Sequence, residues 1–100
     1  MTIRHVVCMR FSPDAPADGP QAIVDALREL PAIIPEIERY HVGLDVGVNP
    51  PSWDLAVSAD FADVDGYVTY RDHPEHQQRI RDLIDPIVAE RVSVQFELDA

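Results

Sequence analysis

The feature that most constrains this chain is the way its apolar residues switch between two spacings. From Ile3 to Phe11 the period is two: Ile3, His5, Val7, Met9 and Phe11 point one way, Arg4, Val6, Cys8 and Arg10 the other, as in a strand. Ser12 to Ala17, with two prolines, breaks the pattern. Ile23, Ala26, Leu27, Leu30 and Ile34 then recur at helical spacing. Asp18 stands where a helix cap belongs, Pro20 falls in the first turn and Gln21 at the capping-box position. Pro31 and Pro35 bend and end this helix between Leu30 and Ile34, because proline has no N–H for the helical ladder.

The two-residue period returns from Ile37 to Val46, with Tyr40, Val42, Leu44 and Val46 opposite Arg39, His41 and Asp45. Beyond the Gly47–Pro51 loop, Trp53, Leu55, Val57, Ala59 and Phe61 alternate with Asp54, Ser58 and Asp60. Asp63 is placed to cap a helix bearing Val64, Tyr67, Val68 and Arg71. His73 interrupts it, since a residue before proline avoids helical angles, and Pro74 suits the first position of a restarted helix. Ile80, Leu83, Ile84 and Ile87 continue the stripe, and Val92, Val94, Phe96 and Leu98 form a last strand.

The order β-α-β-β-α-β predicts an α+β, ferredoxin-like protomer: a four-stranded antiparallel sheet with two helices on one face, in a single domain over residues 1–100. The apolar face of every strand is expected beneath the helices. The other face carries Arg4, Val6, Cys8, Arg10, His41, Asp54, Ala56, Ser58 and Asp60; it suits either a dimer of paired sheets or an ordinary solvated surface. Asp54 and Asp60 are expected to meet Arg4 and Arg10 across it.

Composition removes several functions. The formal charge of −10 repels phosphate backbones and no basic cluster offsets it, so nucleic acid is not expected as a partner. All eight basic residues are arginines, which excludes lysine Schiff bases and lysine-dependent phosphate loops. Cys8 is the only cysteine, so no internal disulfide forms, and no apolar run is long enough for a membrane span or a signal core. These features predict a cytoplasmic protein without membrane association.

Chemistry-bearing side chains concentrate between Tyr70 and His76. Imidazole titrates near neutrality, so His73 and His76 can serve as acid and base, or share a metal with Glu75; two ligands at i and i+3 do not by themselves complete a metal site. The local alternative is that His73 caps the restarted helix and His76 is a partly exposed first-turn residue. His5, on the apolar side of its strand, is either a core histidine bonded to a carbonyl or an active-site group in the space between sheet and helices. Tyr67 and Tyr70 stand one helical turn apart, a spacing typical of core packing, although each hydroxyl still needs a partner.

Several segments together resemble the stress-responsive dimeric α/β-barrel (Dabb) family: Arg4-His5-Val6-Val7, Leu30-Pro31 with Ile34-Pro35, Trp53-Asp54-Leu55-Ala56-Val57, Tyr70 followed by His73-Pro74-Glu75-His76, and Val92 to Phe96. The resemblance covers essentially the whole chain. It implies a homodimer that packs two sheet faces into a barrel. In one branch, the plant olivetolic acid cyclases, a linear polyketide is closed by an intramolecular aldol condensation without metal or cofactor. That branch's catalytic histidine falls on His76, its partner tyrosine on Tyr70 and a further pocket histidine on His5, whereas a pocket tyrosine falls on Leu27, so one hydrogen-bonding group is missing here.

The leading expectation is therefore a homodimeric Dabb protein with a pocket for a small hydrophobic or polyketide-like ligand, catalysing cyclisation or another enolate-type reaction without a cofactor. His76, Tyr70 and His5 are its candidate catalytic residues; Val7, Met9, Leu27, Leu30, Tyr67 and His73 its candidate lining. A non-catalytic stress-related dimer is the alternative, and a monooxygenase-like or haem-binding barrel the third.

Overall fold

The computed structural model describes residues 1–99; Ala100, the end of the expected domain, lies outside the described residues. Strands β1 (Ile3–Phe11), β2 (Ile37–Leu44), β3 (Leu55–Phe61) and β4 (Val88–Glu97) form one antiparallel sheet in the order β2-β3-β1-β4. Helices α1 (Gly19–Arg28) and α2 (Leu30–Ile33) make the first crossover. Helices α3 (Val64–Asp72) and α4 (Pro74–Arg79), with a π-helical turn at Ile80–Ile84, make the second. This is the expected ferredoxin-like architecture, with each of the two expected helices broken near a proline.

The caps divide as local chemistry dictates. The Asp63 carboxylate accepts the Gly66 N–H at 2.8 Å, and His73 Nδ1 accepts the Glu75 N–H at 3.1 Å, so two of the three starts inferred from the sequence have a side-chain partner. Asp18 does not: its backbone is already helical and its side chain makes no capping bond.

Ile23, Val24, Leu27, Leu30 and Ile34 from the first crossover pack with Leu55, Val57, Ala59 and Phe61 of β3 and with Tyr70 and Ile84. Phe61, Leu30 and Ile34 are fully buried at the centre. On β2 the alternation fails at both ends. A bulge between Ile37 and Arg39 lets Ile37 reach the core despite sharing Arg39's parity, and Val46 lies beyond the strand, largely exposed.

The largest departure is β4. Its register sets Val92 opposite Cys8, Val94 opposite Val6 and Phe96 opposite Arg4, and residues directly opposed in an antiparallel pair share a face. Val92, Val94 and Phe96 therefore lie on the open face, not beneath the helices, and are 55%, 55% and 43% exposed. The side of β4 that faces the helices carries Arg91, Ser93 and Gln95, opposite Met9, Val7 and His5.

The polar pairs on the open face are also re-sorted. Arg4 forks onto Asp60 at 2.8 and 2.9 Å, as expected, and this contact holds the buried Asp60 carboxyl below its usual range. Arg10 instead meets Glu90 at 3.3 Å and lies over Trp53, while the Asp54 carboxylate accepts the Phe11 N–H at 2.9 Å. Asp54 thus secures the end of β1 to the start of β3 rather than pairing with arginine.

Candidate active site

Between the sheet and the second crossover lies a cavity of about 400 Å³ whose walls include His5, Val7 and Met9 of β1, Leu27 of α1, Tyr67 and Tyr70 of α3, and His76 of α4. Residues distant in sequence meet here because β1 occupies the sheet interior while the Pro74 restart re-aims the chain after Tyr70. The Tyr70 and His76 rings are 4.1 Å apart between centroids; His5 lies 4.9 Å from Tyr67 and 6.0 Å from Tyr70. The three candidate catalytic side chains share one hollow. Leu30 and His73, both expected in its lining, lie elsewhere: Leu30 fills the core at the α1–α2 junction, and His73 spends its Nδ1 on the α4 cap.

Hydrogen bonds assign opposite roles to the two imidazoles. His76 Nδ1 lies 3.0 Å from the Arg71 carbonyl oxygen, which can only accept, so Nδ1 carries the proton and the neutral ring keeps its lone pair on Nε2. The Gln95 amide donates to His5 Nδ1 at 2.9 Å, so the proton of neutral His5 sits on Nε2. One ring therefore offers a base and the other a donor.

Burial keeps both rings neutral near pH 7. His5 is pushed down to about 4 by desolvation and then by the nearby His76. His76 is lowered chiefly by burial; its bond to the Arg71 carbonyl opposes this, while electrostatic repulsion from Arg91, then His73 and Arg79, adds to it. The Tyr70 and Tyr40 hydroxyls are 3.0 Å apart. Burial pushes Tyr40 up to about 12 and raises Tyr70 further, so both hydroxyls stay protonated and one donates to the other. No three His, Cys, Asp or Glu side chains converge as a metal site among the described residues.

A stability effect follows from His5. With a folded value of about 4 and an unfolded value near 6.5, the unfolded chain binds more protons between them. The contribution of the neutral ring is complete above about pH 6.5 and is lost as the pH falls to about 4, a loss on the order of 3 kcal/mol. Urea midpoints should fall across this window, and His5→Phe should flatten the slope; an unchanged slope would show that His5 is not the group responsible.

Tyr40, Ser93 and Gln95, polar partners of this site, carry no signal in the sequence pattern alone. Tyr40 stood on an alternating apolar face and reads as packing. Gln95 becomes visible only once the β1–β4 register sets it opposite His5.

The Stress responsive A/B Barrel Domain model matches residues 3–98. No curated protein matches the sequence. Among solved structures, a dimeric ferredoxin-like protein of unknown function from Thermobifida fusca is 40% identical with a TM-score of 0.90, over 98% of this chain and 92% of that one. A dimeric protein of unknown function with the same fold from Bacteroides fragilis is 26% identical, with a TM-score of 0.83 over 97% and 96% of the two chains. A hydroxynitrile lyase from Passiflora edulis shares the fold at 18% identity, with a TM-score of 0.84 over 98% and 94%. No helix is long and apolar enough to cross a membrane among the described residues. A family match over nearly the full length, on a protomer with the same topology, identifies the chain as a member of the stress-responsive A/B barrel (Dabb) family.

Proposed function

We propose that the cavity is an active site for cofactor-independent acid–base chemistry on a small carbonyl compound, either an intramolecular aldol closure of the polyketide type or a related lyase reaction. The reading rests on one observation: two neutral imidazoles of opposite tautomer and a phenol line the same hollow. His76 Nε2 takes a proton from the carbon next to a carbonyl; the C–H electron pair forms the C=C bond of an enolate and the carbonyl π pair moves onto oxygen. The Tyr70 hydroxyl and His5 Nε2–H donate to that oxygen. In ring closure the enolate carbon attacks a second carbonyl, and His76 returns its proton to the new alkoxide.

One neighbour of the same fold is a hydroxynitrile lyase, an activity within the lyase class named here. Leu27 stands where the cyclase branch bears a tyrosine, which favours a related substrate over the same one. We also infer that a second copy covers the open sheet face. The exposed Val92, Val94 and Phe96 support this, as do structural relatives described as dimeric.

The test is solvent-deuterium incorporation next to the carbonyl across a panel of small ketones and linear polyketide analogues. The wild type should accelerate exchange for at least one of them, and Tyr70→Phe should slow it. Binding to the cavity without exchange throughout the panel would overturn the enzymatic reading in favour of a ligand-binding dimer.

A further inference from the structure

We infer, building on the acid–base reading, that Arg91 makes this cavity selective for carbonyl substrates bearing a carboxylate, that is, small oxo acids. Arg91 sits opposite Met9, on the side of β4 that faces the helices, and lines the cavity together with Ser93, Tyr70 and His76. A second guanidinium on the lining, Arg71, is already forked onto Asp72 at 2.9 and 3.1 Å. Arg79, packed nearby, donates to the Ala26 and Glu75 carbonyls and to the Glu29 and Glu75 carboxylates. Arg91 has only a loose pair, its Nη1 lying 3.6 Å from Asp85 with both side chains about half exposed. That contact is too long for a hydrogen bond, so the planar fork that matches a carboxylate is available at the cavity.

The surrounding charge makes this position matter. A chain of net charge −10 repels anions at long range, so holding one here needs a local cation. Apolar walls at Val7, Met9, Leu27 and Ile80 would receive the hydrocarbon part of the ligand.

Arg91 also acts on the base. The charged or titratable groups facing His76 are Arg91 from β4, Arg71 from α3, His73 and Arg79 around α4, His5 from β1 and the neutral Tyr70. The positive charge of Arg91 disfavours the imidazolium, and a carboxylate bound to Arg91 cancels that effect. His76 becomes the stronger base once such a substrate is in place.

The probes are phenylpyruvate and its methyl ester, which differ in the charge under test and share an enolisable C3. In wild-type protein the acid should bind about tenfold more tightly than the ester by calorimetric titration, a typical value for one charge-assisted interaction. Arg91→Gln should remove that preference, leaving ester affinity and the thermal melt unchanged, and Arg91→Lys should keep part of it. Equal affinities in the wild type, or a preference surviving in Arg91→Gln, would overturn the inference. Exchange of the C3 hydrogens in D₂O, above the buffer rate, separates the two readings. Exchange of both probes without an acid preference removes Arg91 and keeps the acid–base site; an acid preference without His76-dependent exchange keeps the anion site and removes the catalytic reading.

Discussion

Replacing His76 by alanine is expected to lower turnover of the cavity's substrate by about 10² to 10⁴-fold, the usual contribution of one positioned general base. The loss should fall on kcat, because the ring acts on the proton in flight and adds little to ground-state binding. The protomer should keep its fold. The Arg71 carbonyl that holds His76 Nδ1 also accepts the Gln77 side-chain amide, so removing the imidazole does not leave that acceptor without a partner. What remains is the loss of one ring contact with Tyr70, at the edge of the core. The pH profile gives a second check. The wild-type rate should climb through the lowered pKa of His76, below 6.5, and be level at neutrality, since only the neutral ring offers Nε2 as a base. His76→Ala should lose that acid limb together with the rate. Unchanged turnover in the variant would remove His76 from the chemistry and leave its bond to Arg71 as purely local structure.

The two-residue period could locate β1 and β3, because each has one apolar face, and the side-chain caps Asp63 and His73 could locate the starts of α3 and α4. It could not orient β4. Alternation tells which residues share a face, not which face is inside, and on β4 the apolar set is the outer one. A strand whose apolar side is exposed in the protomer resembles, in sequence, one buried under helices. The same ambiguity hid Gln95, Ser93 and Arg91 from the site: they sit on the polar side of that alternation and appear solvated until the register sets them against His5, Val7 and Met9. His5 carried the one available clue, since an imidazole between Ile3 and Val7 has to find a polar partner within the fold. Leu30 illustrates the opposite error. Helical spacing put it on the core face correctly, but whether a core-facing side chain lines a hollow or fills it is decided by packing in three dimensions.

The inverted strand leads to the other large expected effect. Val94→Asp should raise the dimer dissociation constant by at least about 10³-fold, because a two-fold contact between sheet faces would bury two unpaired carboxylates, each costing several kcal/mol to desolvate. The isolated protomer should tolerate the change, since Val94 is already half exposed there and points away from the core. Val46→Asp, at a site 85% exposed beyond the end of β2, serves as the control and should leave the dimer intact. Sedimentation across a range of concentrations reads the outcome directly, and a Val94→Asp dimer as tight as the wild type would refute a sheet-to-sheet interface. The consequence reaches the cavity. β4 is an edge strand paired only with β1, and it carries Gln95 against His5 and Arg91 at the lining while exposing Val92, Val94 and Phe96 on its back. An edge strand stripped of its covering partner opens at lower free energy than the sheet interior. When it opens, the amide that fixes the His5 tautomer goes with it. Specific activity should therefore fall as Val94→Asp protein dissociates and recover at concentrations that restore the dimer. An activity independent of oligomeric state would mean that β4 holds the site without help from a second copy.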